Sequence, residues 1–186
     1  CAGFRNVVIN HAWLGHLIES QLGDGSRLGL NISYSAETVA LETAGGIACA
    51  LPMLGSEPFL VINGDIWCDW DLTEATDIAT QLKSQGRLGW LLLVPNPAHN
   101  SKGDFELSET GLVSTGETHR STFSGIGIYD PALFRSTVGG QPAKLAPLLR
   151  DAMSKQTVCG ALHTGTWVDV GTPQRLAELD QMIRSK

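Results

Sequence analysis

Hydrophobic positions in the first half of the chain switch between two periods. Residues 4–10, Phe-Arg-Asn-Val-Val-Ile-Asn, hold a β-branched run and predict a strand. Leu14, Leu17, Ile18 and Leu22 then recur at i, i+3, i+4 and i+8, one face of a helix over 13–22. Residues 23–29 are turn chemistry, and 28–35 alternate apolar and polar as a strand does. A helix with a glycine-rich start is predicted over 42–54 and an apolar strand over 58–65. Leu72, Ala75, Ala79 and Leu82 mark a helix over 72–84, and 88–94 is a continuous apolar strand of the kind buried on both faces.

The pattern then changes. Residues 104–117 predict a hairpin turning at Thr110-Gly111, followed by a strand over 123–130. Leu145, Leu148, Leu149, Ala152 and Met153 give an amphipathic helix over 144–153. Short strands are expected at 157–162 and 166–170, and Thr172-Pro173 fits an N-cap with proline at the first helical position. Alternating strands and helices argue for one α/β domain spanning 1–186, its sheet largely parallel and flanked by helices, with a small antiparallel lobe. No exposed apolar stripe stands apart from this core pattern.

Composition narrows the class. With 186 residues, 42% hydrophobic and 17% charged, the chain has the makeup of a folded globular domain. A net charge of −6 argues against a nucleic-acid partner, but a phosphate-bearing small ligand remains compatible through local dipoles and a metal ion. Cys1, Cys49, Cys68 and Cys159 are widely spaced, which argues against a zinc site or a disulfide framework and suits a reducing cytoplasm. No apolar run reaches membrane-spanning length, and no signal peptide is expected at the start.

The candidate chemistry begins where the 58–65 strand breaks at Asn63-Gly64 and delivers Asp65. Asp169 has the same placement, after the apolar run of Thr166-Trp167-Val168 and before Gly171-Thr172-Pro173. Ligands of open α/β sheets bind beyond the carboxyl ends of the strands. Two carboxylates converging there suit Mg²⁺ held together with substrate phosphates; capping of the next turn and of the last helix is the competing role. Thr43-Ala44-Gly45-Gly46 at a helix start can turn backbone N–H groups toward a ligand, or serve packing.

Other side chains divide between roles. His11 is a substrate contact or a hydrogen-bonded structural histidine, and Trp67 a stacking surface or packing. Lys144 is a phosphate contact or a solvated lysine. Asp69 and Asp71 fit a turn and a helix N-terminus. His99 and Lys102 sit in a polar loop that is either a mobile cover or plain surface.

The segments 9–15 (INHAWLG), 23–30 (GDGSRLGL), 41–47 (LETAGGI), 63–67 (NGDIW), 103–105 (GDF), 123–134 (FSGIGIYDPALF), 144–153 (KLAPLLRDAM) and 167–176 (WVDVGTPQRL) occur in this order. Together they resemble the sugar-1-phosphate nucleotidyltransferases along essentially the whole chain. The resemblance implies a Rossmann-like nucleotidyltransferase fold that joins a nucleoside triphosphate to a sugar 1-phosphate and releases pyrophosphate. UTP and N-acetylmuramate 1-phosphate are the implied substrates, with guanylyl or thymidylyl transfer to a mannose or glucose 1-phosphate as the alternative. It further implies Asp65 and Asp169 as Mg²⁺ ligands, Asn63 as a substrate contact beside the metal, and Asp104 and Glu117 as polar contacts to the sugar. Glu42, Thr43 and Gly45 are implied at the base and ribose. The family's first strand, glycine-rich loop and most of its first helix have no counterpart here. The expectation is therefore a fragment, or a segment supplied by another chain, and a non-catalytic nucleotide-sugar-binding module is the remaining reading.

Overall fold

The computed structural model describes residues 2–185. β1 (Asn6–His11) and β2 (Asn31–Ala36) pair in parallel along their full lengths, with α1 (Gly15–Leu22) and a short 3₁₀ turn over Ser26–Leu28 connecting them. Then come α2 (Glu42–Leu54), β3 (Phe59–Ile62), β4 (Ile66–Cys68), α3 (Glu74–Ser84) and β5 (Gly89–Val94). The second half holds β6 (Phe105–Leu107), β7 (Val113–Ser114), β8 (Arg120–Tyr129), α4 (Leu145–Ser154), β9 (Val158–Leu162), β10 (Trp167–Asp169) and α5 (Pro173–Arg184). The predicted elements all form, with ends moved by a few residues.

Six strands make the main sheet, in the order β7-β6-β8-β5-β9, with β3 also paired to β8. β3, β5, β6 and β9 share one direction, as the strand–helix alternation predicts, but β8 runs against β3, β5 and β6. The β6–β7 hairpin reverses the chain and returns it between β3 and β5, so the sheet is mixed. The carboxyl ends of β3, β5 and β9 therefore open on the same edge of the sheet as the amino end of β8.

All six residues of β5 are buried, which is why its sequence carries no polar alternation. Leu91 and Leu93 face a cluster with Ala44 and Ile47 of α2 and Leu145, Leu149 and Met153 of α4. Trp90 and Leu92 face the opposite cluster, with Ala75 and Leu82 of α3. Each such leucine contributes roughly 1.5–3 kcal/mol by leaving water. Gly127 stands opposite Leu91 in β8, and a Cβ there would run into the Tyr129 ring and hydroxyl. That close approach accounts for the glycine at 127.

One expectation about the periphery changes. Leu14 and Leu17 at the start of α1 stand exposed beside Trp13, which is 85% exposed. An apolar stripe apart from the core thus exists. The expected caps hold elsewhere: Thr172 Oγ1 accepts from the Arg175 N–H at 3.3 Å, with Pro173 opening α5. Among the described residues no helix is long and apolar enough to cross a membrane.

Candidate active site

β4 and β10 pair antiparallel, Ile66 opposite Asp169 and Cys68 opposite Trp167. This short ladder joins two distant parts of the chain. The turn after β3 places Asp65 just before β4, and the Val170 N–H donates to the Asp65 carbonyl at 2.8 Å. A Cβ on Gly171 would sit 2.9 Å from Asp169 Oδ1 and 3.7 Å from Asp65 Oδ2, so both carboxylates face one point. The convergence expected of the two acids is present in the fold.

Their environments differ. Asp169 Oδ1 accepts from the Gly171 N–H at 2.8 Å, while Oδ2 lies 3.0 Å from Arg175 Nη1 and 3.4 Å from His99 Nε2. Asp169 is half-buried and held in position. Asp65 is exposed, and its carboxylate has no hydrogen-bond partner among the described residues. One acid is oriented and the other is open to a ligand, and an all-oxygen pair of this kind fits a hard divalent ion such as Mg²⁺.

Beside the pair lies a cavity of about 390 Å³ whose polar wall is Glu42, Thr43, Asn63, Asp104, Lys144 and Arg150, with Phe105, Phe123, Leu145 and Leu149 behind. Asn63, two residues before Asp65, connects cavity and acid pair. Asp104 Oδ2 accepts from the Phe123 N–H at 2.8 Å and from Asn100 Nδ2 at 3.1 Å, which aims the carboxylate. Asn100 follows His99, so one 3₁₀ turn over Ala98–Asn100 touches both Asp104 and Asp169. The loop is anchored: Asn96 Oδ1 accepts from Thr122 Oγ1 at 2.9 Å, and Asn96 Nδ2 donates to the Arg120 carbonyl at 2.8 Å. The loop is surface, with His99 and Lys102 exposed, and is anchored at its base.

The start of α2 divides between its two sequence readings. Glu42 and Thr43 reach the cavity, Glu42 with a left-handed backbone at φ 58°. Gly45 does not. It is buried, its N–H and that of Ala44 both donate to the Ala143 carbonyl at 3.1 and 2.9 Å, and a Cβ there would meet the Gln141 carbonyl. The glycine lets the segment before α4 approach; its N–H is spent within the protein. Glu117 is likewise left out, exposed on the loop between β7 and β8 and absent from the cavity wall.

His11 is structural, its Nε2 at 2.8 Å from Glu19 Oε1 with the side chain 7% exposed. Trp67 lies half-buried in β4 opposite Val168. Asp71 opens α3 as expected: Oδ1 accepts from the Thr73 hydroxyl at 2.7 Å and N–H at 2.9 Å, and these bonds hold its carboxyl below the usual range. Asp69 instead bonds His163. Arg150 and Arg175 were not anticipated. Arg175 acts across six residues from Asp169 on a different element, and Arg150 sits outside the apolar stripe of α4, so no periodicity singles out either. Neither Lys144 nor Arg150 has an ion-pair partner among the described residues, although both are exposed on the cavity wall with two acids.

Acidic groups and a polar-walled cavity beyond the carboxyl ends of the strands, in a mixed α/β sheet, define a ligand-handling α/β protein of the doubly wound kind. The nucleotidyl transferase family matches residues 1–186, and the chain belongs to that family. It is 52% identical over 180 residues to N-acetylmuramate alpha-1-phosphate uridylyltransferase of Neisseria meningitidis serogroup B, covering 95% of this chain and 78% of that protein. Against the Caulobacter vibrioides protein of the same name it is 32% identical, covering 93% and 75%. Among solved structures, HddC from Yersinia pseudotuberculosis superposes with a TM-score of 0.76 at 16% identity, covering 98% of this chain and 80% of that one. UDP-glucose pyrophosphorylase in complex with UDP-glucose gives 0.73 at 15%, covering 99% and 82%. These two likenesses concern the fold.

Proposed function

We propose that the protein transfers a uridylyl group from UTP to N-acetylmuramate 1-phosphate and releases pyrophosphate. The observation that carries the reaction class is the convergence of Asp65 and Asp169 on one point at Gly171. The choice of substrates is supported by the 52% identity to the Neisseria enzyme.

An oxygen of the sugar phosphate attacks the α-phosphorus of UTP. The bond from that phosphorus to the bridging β-phosphate oxygen breaks, and pyrophosphate leaves with its electron pair. The attacking oxygen is already ionised at neutral pH, so the site needs no general base. Its task is positioning and charge neutralisation. Asp65 and Asp169 would hold Mg²⁺, which when bound offsets repulsion between the phosphates and the charge that develops during transfer. Arg175 and His99 keep Asp169 oriented. Glu42 and Thr43 hold the base and ribose at the start of α2, while Asn63 and the fixed Asp104 bind sugar hydroxyls. Lys144 and Arg150 supply positive charge on the cavity wall for substrates that bring phosphate and, in a muramate, a carboxylate. A consumer of UTP works where UTP is held, which places the reaction in the cytoplasm.

The test is pyrophosphate release by the protein as its gene encodes it, with UTP, GTP, dTTP and ATP against the 1-phosphates of N-acetylmuramate, N-acetylglucosamine, mannose and glucose. UTP with N-acetylmuramate 1-phosphate should dominate, activity should vanish with EDTA, and Mg²⁺ should restore it. Preference for GTP with mannose 1-phosphate would replace this reading with guanylyl transfer. Silence with every pair would leave a binding module.

A further inference from the structure

We propose that Cys68, Asp69 and His163 form a second metal site, selective for a borderline-soft ion such as Zn²⁺ and distinct from the carboxylate pair. Their ligand atoms all lie within 4.8 Å of one another. Cys68 ends β4 and Asp69 follows it, while His163 follows β9, so the donors come from two separate strands. Wide cysteine spacing argued against such a site on sequence grounds. The fold supplies the missing proximity.

The three groups are held before any ion arrives. The His163 N–H donates to the Leu93 carbonyl at 2.8 Å, and the Asp69 N–H donates to the Thr166 carbonyl at 3.1 Å. His163 Nε2 lies 2.7 Å from Asp69 Oδ1, and a Cβ added at Gly165 would run into both side chains. A tetrahedral ion would widen that nitrogen–oxygen separation to roughly 3.3 Å, a small rearrangement for two side chains at a strand end. Thiolate, imidazole and carboxylate together favour Zn²⁺ over Mg²⁺, which prefers oxygen alone. With three protein donors, water or another ligand completes the fourth position.

One donor is charged in advance and one is not. Backbone hydrogen bonding at Thr166 and the bond to His163 hold the Asp69 carboxyl below the usual range, so it is charged at neutral pH. Burial pushes the Cys68 thiol up, so it stays protonated until an ion displaces the proton to solvent. The site sits at the opposite end of the β4–β10 ladder from Asp65 and Asp169, two residues or roughly 7 Å along the strand. An ion there would tie β4 to the segment between β9 and β10 and fix the ladder that aligns the two acids.

The experiment is Co²⁺ titration of protein stripped with chelator. One equivalent should produce a thiolate-to-cobalt charge-transfer band in the near ultraviolet, and Zn²⁺ should displace it. Cys68→Ser should abolish the band, and His163→Ala should weaken binding by at least about tenfold. Cys159→Ser and Asp65→Asn should leave both unchanged. Absence of the band at stoichiometric Co²⁺, or its survival in Cys68→Ser, overturns the proposal. Should Cys68→Ser fail to fold, alkylation of the wild-type protein decides: Zn²⁺ must protect Cys68 while Cys49 continues to react, and equal labelling with and without Zn²⁺ sinks the site.

Discussion

The six-stranded sheet and the β4–β10 ladder hold their residues by opposite means. In the sheet, β5 is buried along its whole length between two apolar clusters, and each side chain is fixed by many neighbours. The ladder has three residues in each strand, all half-buried, and its important side chains are fixed by a few polar contacts. Asp169 depends on Arg175, His99 and the Gly171 N–H, and Asp65 on backbone alone. Stability and the proposed reactivity therefore fall to different parts of the molecule: changes of volume should tell in the sheet and changes of charge in the ladder.

The largest effect expected on that contrast is a loss of stability with binding retained. Leu91 is 0% exposed, faces the cluster under α2 and α4, and has glycine opposite it in both neighbouring strands, Gly127 and Gly160. Leu91→Ala leaves a cavity there and should cost about 2–5 kcal/mol, read as a shift in urea midpoint. KM for the nucleotide should stay within about twofold of the wild type. A large KM change at retained fold would mean that sheet and site are coupled.

The converse substitution is Asp65→Asn. It removes one charge from the acid pair and should lower the transfer rate by about 100-fold, or about 2.7 kcal/mol of transition-state stabilisation. Because the exposed carboxylate bonds nothing among the described residues, the denaturation midpoint should move by no more than about 0.5 kcal/mol. Loss of activity together with loss of fold would give Asp65 a structural role and dissolve the contrast.

The same division explains what sequence could tell. The core elements announce themselves through local period: Leu145, Leu149, Ala152 and Met153 in α4, and the unbroken apolar run of β5. Asp65 and Asp169 are legible too, because each ends an apolar strand and the end of a strand is a local feature. Arg175 and Arg150 are not, since their roles depend on which wall the helix presents after folding. Gly45 misleads for a related reason. Glycine at a helix start reads alike whether it bares its N–H to a ligand or admits another backbone, and only the approach of Gln141–Ala143 separates the two. The Cys68–His163 proximity is invisible for want of any spacing rule that spans β4 to β9.

The smallest expected effect tests whether the sheet's packing is as apolar as its sequence. Tyr129 is fully buried over Gly127, and its hydroxyl has no hydrogen-bond partner among the described residues. Tyr129→Phe keeps the ring and removes a polar atom that gains nothing from burial, so stability should be unchanged or rise by about 1 kcal/mol. Burial also pushes the phenol's ionisation well above its ordinary range. Unfolded chain releases that proton near pH 10 while folded chain keeps it, so the folded state binds more protons in that window. Wild-type stability must then fall as pH rises past about 10, and the Phe variant must lack that part of the decline. A variant less stable than wild type at neutral pH would mean the hydroxyl has a partner, a buried water being the group small enough to fit, and the core would be less dry than the run of leucines in β5 implies.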